Sequence, residues 1–180
     1  SQRGINQMGR EFEGSCLSAG RLQRQPVAGN ENGLRRLEGG VFRLTREGRV
    51  TPWLRIVEGA DLPPTNFVLL DNAGGAWVTV STRLQPRARG YRRSCNDGFI
   101  VRVDRRGARI VADGLGYTNE VAVHPTGEWL YVNETFGRRT TRFRLGPDAT
   151  LGGRETVATY GAGTFPDGLT FDAEGHVWIT

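Results

Sequence analysis

Pro166-Asp167-Gly168-Leu169-Thr170-Phe171-Asp172-Ala173-Glu174-Gly175-His176-Val177-Trp178-Ile179 is the stretch that decides the fold, because the chain carries it three times in the same phase. The earlier copies are Thr65-Asn66-Phe67-Val68-Leu69-Leu70-Asp71 through Val78, and Thr118-Asn119-Glu120-Val121-Ala122-Val123-His124 through Tyr131. In each copy an Asn or Asp is followed five positions later by an Asp or His, and three further on by a glycine. Three beyond the glycine stands Trp77, Leu130 or Trp178. β-Branched and aromatic residues on both sides of an Asp-x-x-Gly reversal predict two strands joined by a tight turn. The turns fall at Asn72-Ala73-Gly74, Pro125-Thr126-Gly127 and Ala173-Glu174-Gly175.

A second hairpin accompanies the repeats. Gly40 to Leu44 turns at Glu47-Gly48, Phe99 to Val103 turns at Arg106-Gly107, and Thr141 to Leu145 turns near Pro147-Asp148. Four strands per unit make a propeller blade, and Asn66, Asn119 and Asp167 follow one another at 53 and 48 residues. A four-stranded blade takes about 40–50 residues. The spacing therefore predicts an all-β fold, a β-propeller of four-stranded blades over 39–180, with about three blades present. A two-sheet sandwich uses similar strands but does not call for a motif copied at blade spacing. Propellers close by packing the last sheet on the first, so three blades ending at Thr180 inside a predicted strand read as part of a larger parent with exposed strand edges. Residues 1–38 are rich in Gly, Arg and Gln and show few apolar runs. They are expected to be poorly ordered or a degraded first blade.

The bulk properties agree with one domain. A chain of 180 residues supports a single ordinary core, and 26 glycines call for many turns. The net charge of +5 raises nucleic acid as a partner, but every basic residue is an arginine and they are spread through the chain among 19 acidic residues. The one dense run, Arg83 to Arg93, lacks the interleaved aromatics of an RNA-binding signature. No nucleic-acid partner is expected. No apolar stretch approaches the roughly 20 residues that cross a bilayer, so no membrane partner is expected and the location is read as cytoplasmic. Cys16 and Cys95 are far apart and in no metal or redox spacing. They read as buried or incidental thiols.

The chain has no Gly-x-Ser-x-Gly elbow, no Cys–His partnership and no His-Glu-x-x-His. His124 stands where the other copies have Asp71 and Asp172, and His176 lies just before Trp178, so both read as turn residues. Hydrolytic chemistry would have to rest on carboxylates, amides and a metal. In a propeller the starts of the innermost strands converge at one end of the central channel, which brings Asn66, Asn119 and Asp167 together. Two amide oxygens and a carboxylate are a hard donor set suited to calcium, magnesium or manganese, and tolerable for zinc. The alternative is that these residues only cap turns through their own backbone.

Tyr117-Thr118-Asn119-Glu120-Val121 and the stretch Phe165 to Ile179 resemble the sugar-lactonase family that includes gluconolactonase and regucalcin, the senescence-marker-protein/gluconolactonase family. The resemblance spans about Gly39 to Thr180. It implies a six-bladed parent, metal-dependent hydrolysis of a sugar-type lactone, and one divalent cation, with calcium or zinc placed ahead of magnesium or manganese. It also implies metal ligands at Asn119 and Asp167, with Asn66 contacting substrate or, as in some relatives, the metal itself; in the hydrolysis that would follow, Asp167 is also the candidate catalytic proton acceptor. The family's remaining ligand is a glutamate in a Glu-Gly-Pro-x-Trp context. Glu13, in Glu13-Gly14-Ser15-Cys16, is the nearest echo, and Glu38 in Glu38-Gly39-Gly40-Val41-Phe42 is its rival. A substrate-binding arginine of the family is replaced by Pro64, and Arg83 is a candidate substitute. The alternative function is a non-catalytic propeller used as a binding module.

Overall fold

A computed structural model of the chain describes residues 39–72 and 74–180 in full and, of residues 16–19, the backbone. Its strands in chain order are β1 (Cys16–Ala19), β2 (Val41–Leu44), β3 (Val50–Leu54), β4 (Ile56–Val57), β5 (Ala60–Asp61), β6 (Thr65–Leu70), β7 (Ala76–Val80), β8 (Gly98–Asp104), β9 (Gly107–Leu115), β10 (Thr118–Val123), β11 (Trp129–Glu134), β12 (Arg139–Leu145), β13 (Leu151–Thr159), β14 (Leu169–Phe171) and β15 (Val177–Ile179). Neighbouring strands pair antiparallel in sequence order, giving two complete four-stranded sheets, β6-β7-β8-β9 and β10-β11-β12-β13. They are flanked by a three-stranded sheet β1-β2-β3 and a hairpin β14-β15, while β4 and β5 form a short ribbon. β1 pairs with β2 as β7 pairs with β8, so the three-stranded sheet repeats the outer three strands of a blade. The predicted hairpins stand at the predicted turns. Residues 16–19, inside the segment expected to be poorly ordered or a degraded first blade, form a paired strand.

Why the sheets stack is written in the alternation of β7 and β8. A strand turns successive side chains to opposite faces. Val78, Val80, Phe99 and Val101 go to one face and join Val41, Leu54, Val57 and Leu62 in a first apolar cluster. Trp77 and Ile100 go to the other and join Leu115, Val121, Leu130, Val132 and Phe143 in a second. Both faces of one sheet are therefore buried between neighbours, which explains the near-continuous apolar run of its central strands. Among the described residues, no helix is long and apolar enough to cross a membrane.

The repeated glycine has a backbone cause. Gly74, Gly127 and Gly175 have φ of 77°, 74° and 85°, a region that costs a residue with a Cβ about 1 kcal/mol or more. Each donates its N–H to the carbonyl of the residue three before it, Asp71, His124 or Asp172. The turns differ in one respect. Asp71 N–H closes on Gly75 O and Asp172 N–H on His176 O, whereas His124 N–H closes on Trp129 O, one residue further along. The middle copy thus holds one extra residue in its turn. Tyr131, not Leu130, pairs with Ala122 in the way that Trp77 pairs with Leu69 and Trp178 with Thr170. The common register read through Trp77, Leu130 and Trp178 is corrected accordingly.

Candidate metal and active site

The start of each inner strand is irregular, and this irregularity aims the side chains that matter. In β6, Thr65 pairs with Val80 and Val68 with Val78, so two residues, Asn66 and Phe67, oppose Thr79 alone. In β10, Thr118 pairs with Glu134 and Val121 with Val132, leaving Asn119 and Glu120 opposite Asn133. Such bulges re-aim a side chain out of the regular pleat. The third copy behaves alike: Asp167 N–H donates to Thr180 O at 2.7 Å, and Thr180 N–H returns to Gly168 O at 3.2 Å.

The three aimed side chains meet. Asn66 Nδ2 donates to Asn119 Oδ1 at 2.9 Å and to Thr118 O at 3.3 Å. Asn119 Nδ2 donates to Thr135 Oγ1 at 2.9 Å and to Asp167 Oδ1. Residues 66, 119 and 167, from three successive sheets, thus form one hydrogen-bonded row. Behind it, Thr135 Oγ1 donates to Pro166 O at 2.9 Å, and Asn133 Nδ2 donates to Asp167 O at 3.1 Å and Gly168 O at 3.0 Å. Glu120 Oε2 accepts Leu169 N–H at 2.9 Å. Backbone groups around Asp167 are therefore fixed while its side chain stays exposed. Among the described residues no arginine or histidine pairs with the Asp167 carboxylate.

The residues present fit a hard divalent cation. Their acceptors are amide and carboxylate oxygens only. Half a turn about its last bond exchanges the oxygen and nitrogen of an Asn amide, so Asn119 can present oxygen toward the Asp167 carboxylate that its nitrogen now contacts. Glu13 and its rival Glu38 lie outside the described residues. A second group of candidate ligands, Asp172, Glu174 and His176, has its atoms within 4.8 Å of one another. It lies in the β14–β15 turn, at the opposite end of the strand from Asp167. There Asp172 Oδ1 accepts the N–H groups of Glu174 and His176, and Oδ2 accepts Trp178 Nε1 at 3.0 Å and lies 3.1 Å from His176 Nδ1. That carboxylate is saturated by its own turn. His124 is likewise tied to its turn, with Nδ1 at 2.9 Å from Thr126 Oγ1. A cleft of 680 Å³ lined by Leu69, Trp77, Arg102, Val123 and Phe171 opens at the same far end. Asp71 there pairs with Arg102, so among the described residues no open carboxylate faces that cleft beside an amide row.

Several partners carry no repeat phase. Thr135 and the rings of Tyr117, Phe136 and Phe165 come from loops, and only their proximity in sequence to Asn119 and Asp167 hints at them. Asn133 was legible in principle, as a polar residue ending an apolar strand. Arg83 forks onto Asp113 at 2.9 and 2.8 Å, so it does not serve the row as the substitute arginine. Arg87 is the arginine of that run that reaches Tyr117, Nε to Oη at 2.9 Å. Cys95 is buried and free, and burial pushes its thiol above the ordinary range, with Asp97 beside it adding to the rise.

Glu134, at the end of β11, is completely buried. It accepts Arg139 Nε at 2.8 Å and Nη2 at 2.6 Å, Arg154 Nη2 at 3.0 Å, Thr141 Oγ1 and the Gly116 N–H. Burial pushes its acidity down, yet the hydrogen bonds from Arg139, Thr141 and Gly116 outweigh it and hold the carboxyl below its usual range. Gly116 leads directly into Tyr117 and β10, so this knot sets the position of Asn119.

The profile of the SMP-30/Gluconolactonase/LRE-like region matches residues 7–180. No match is found among curated proteins. Among solved structures, a gluconolactonase from Xanthomonas campestris is similar at 23% identity and a TM-score of 0.63, over 78% of this chain and 48% of its own. Regucalcin from Agrobacterium tumefaciens, a calcium-binding protein, follows at 22% identity and 0.60, over 79% and 47%. Virginiamycin B lyase from Staphylococcus aureus matches at 15% and 0.55, over 92% and 53%. The chain thus spans about half the length of these structures, and the likeness at such identities is one of fold.

Proposed function

This chain belongs to the SMP-30/gluconolactonase/LRE-like family, and from that premise we propose that it hydrolyses a lactone at the row formed by Asn66, Asn119 and Asp167, with a divalent cation held by Asn119 and Asp167. The observation that carries the reading is the row itself: three polar side chains from three inner strands, joined in sequence and ending in an exposed carboxylate that no described arginine or histidine neutralises. The likeness to the Xanthomonas gluconolactonase and to the calcium-binding Agrobacterium regucalcin supports the choice of a lactone and of calcium. Zinc, magnesium and manganese suit the same oxygen donors less closely or equally.

A bound divalent cation supplies Lewis acidity to an ester carbonyl and lowers the pKa of water. The chain's own groups do the rest. With the Asn119 amide turned to present its oxygen, the Asp167 carboxylate gives up the Asn119 N–H and would accept the proton of the attacking water. The hydroxyl adds to the carbonyl carbon, the ring C–O bond breaks, and the ring oxygen leaves as an alcohol after taking that proton back. Asn66 orients the substrate, while Thr135 and Asn133 keep the segment Pro166 to Gly168 from drifting. Glu13 is proposed as the remaining ligand on resemblance alone.

The test is hydrolysis of aldonolactones by the purified protein, with and without chelator. Activity abolished by chelation and restored by calcium or zinc is expected. Chelator-insensitive turnover, or none with any lactone, rejects the reading. A non-catalytic binding module is the second reading, favoured by the fold's likeness to a chain of a nidogen/laminin complex. It predicts that divalent cations leave the melting temperature unchanged, whereas a site that binds only the folded state raises it.

A further inference from the structure

We propose that the lactone taken here carries a negative charge away from its ester, a phosphate or a carboxylate, and that the Arg138 guanidinium receives it. The inference rests on the lactonase reading above for where the ester sits. Arg138 stands in the turn between β11 and β12, three residues after Thr135, whose hydroxyl joins Asn119 to Pro166. Its guanidinium lies over the Phe165 ring, 5.3 Å from the centroid, and Phe165 is two residues before Asp167. Two residues of chain span at most about 7 Å, so the charge stands beside the row.

The backbone under Arg138 is fixed. Gly137 N–H donates to Gly116 O at 2.8 Å, and Tyr160 N–H donates to Arg138 O at 2.8 Å. Arg138 itself has a φ of 53°, a left-handed conformation that is costly for a residue with a Cβ and free for glycine. A costly backbone position filled by a long cation points to a use for the side chain. Yet that side chain has no hydrogen bond or ion pair to any described residue, and the ring beneath it is its partner. Its five N–H donors are left for a ligand or for water.

The loop between β7 and β8 adds to the same field. Arg87 gives Nε to Tyr117 Oη at 2.9 Å and Nη2 to Ser81 Oγ at 3.0 Å, and Arg92 gives Nη1 to the Arg89 carbonyl at 2.6 Å. These acceptors are neutral, and Arg87, Arg89 and Arg92 form no ion pair with any described carboxylate. Tyr91 of the same loop stacks on Phe136 at 4.7 Å, and Phe136 meets Phe165 at 5.3 Å, which brings the loop up to Arg138. The far end of the strands is built differently: Arg102, Arg106, Arg109 and Arg144 each lie against an aspartate or a glutamate. The protein thus neutralises these cations at one end and leaves several others open at the end that holds the row. An open positive rim concentrates anions and steers their approach. A neutral polyol can hydrogen-bond to Arg138 but draws nothing from that field.

The test pairs lactones that differ in one charge, at low ionic strength. D-Glucaro-1,4-lactone is set against D-glucono-1,4-lactone for a carboxylate, and 6-phospho-D-glucono-1,5-lactone against D-glucono-1,5-lactone for a phosphate. Expected is a kcat/KM at least about tenfold higher for the charged member of one pair, which names the anion. That ratio should fall about tenfold in Arg138→Gln, survive in part in Arg138→Lys, and narrow in about 0.5 M salt. A ratio of one or below in both pairs, or one that Arg138→Gln leaves unchanged, overturns the proposal. Arg138→Gly, which suits the backbone there, takes the place of Arg138→Gln should that variant fail to fold. If no lactone is turned over, the hydrolytic reading fails by itself, and calorimetric titration of 6-phospho-D-gluconate and D-glucarate against D-gluconate decides the anion site. Binding of either at least about tenfold tighter than D-gluconate, and lost in Arg138→Gln, sustains it. No binding, equal binding, or binding that Arg138→Gln leaves unchanged overturns it.

Discussion

Asp167 and Glu134 carry the same carboxylate on adjoining inner hairpins, one just ahead of β14 and the other at the end of β11, and the protein uses them in opposite ways. Glu134 is out of water and every nearby donor points at it: two arginines, a hydroxyl and a backbone N–H. Asp167 is exposed, and one amide is its side-chain partner among the described residues. A saturated carboxylate can only hold structure, because any new ligand would have to displace charge-assisted hydrogen bonds. An unsaturated one, with its backbone pinned from behind by Asn133, is available for chemistry. The two also depend on each other: the Glu134 knot fixes Gly116, and Gly116 leads into the strand that carries Asn119.

This contrast breaks most visibly at Asp167. Asp167→Asn is expected to lower kcat/KM for a lactone by about a thousandfold, ~4 kcal/mol of barrier, while stability to urea changes by under about 1 kcal/mol. Glu134→Gln should do the reverse. Removing one partner of a buried ion pair costs about 3 kcal/mol, and its loss of activity should follow the fraction unfolded. Equal effects of the two substitutions on stability would erase the distinction.

A smaller effect sharpens the comparison through pH. The folded protein holds Glu134 below its ordinary value of 4.5. Its stabilisation is therefore complete above that ordinary value and is lost as pH falls through the lower folded value. The stability gap between wild type and Glu134→Gln should narrow on acidification in that window, read by urea midpoints at successive pH values. A gap that widens in acid contradicts the assignment.

Much of this was written in the sequence. Positions that recur with the blade inherit their geometry from it, so Asn66, Asn119 and Asp167 could be placed together although far apart along the chain. The turn residues Asp71, His124 and Asp172 were legible for the same reason. What did not recur was hidden. The extra residue in the turn after His124 shifts Leu130 and Tyr131 by one place, and a strand slipped by one exchanges its two faces. Thr135 and the rings of Tyr91, Phe136 and Phe165 sit on loops whose approach is set by how the sheets stack. Glu134 looked like an ordinary strand end, since only the fold brings Arg139, Arg154 and Gly116 around it. Arg83 and Arg87 have equal claims as letters, and Asp113 captures the first.

Calorimetric titration of calcium or zinc into the wild-type protein and into Asp167→Asn goes straight to the question of whether the row is a metal site. One ion per chain bound by the wild type, with that binding lost or weakened at least about a hundredfold in Asp167→Asn, is the expected result. Binding that is identical in the two proteins, or absent from the wild type, would contradict the account.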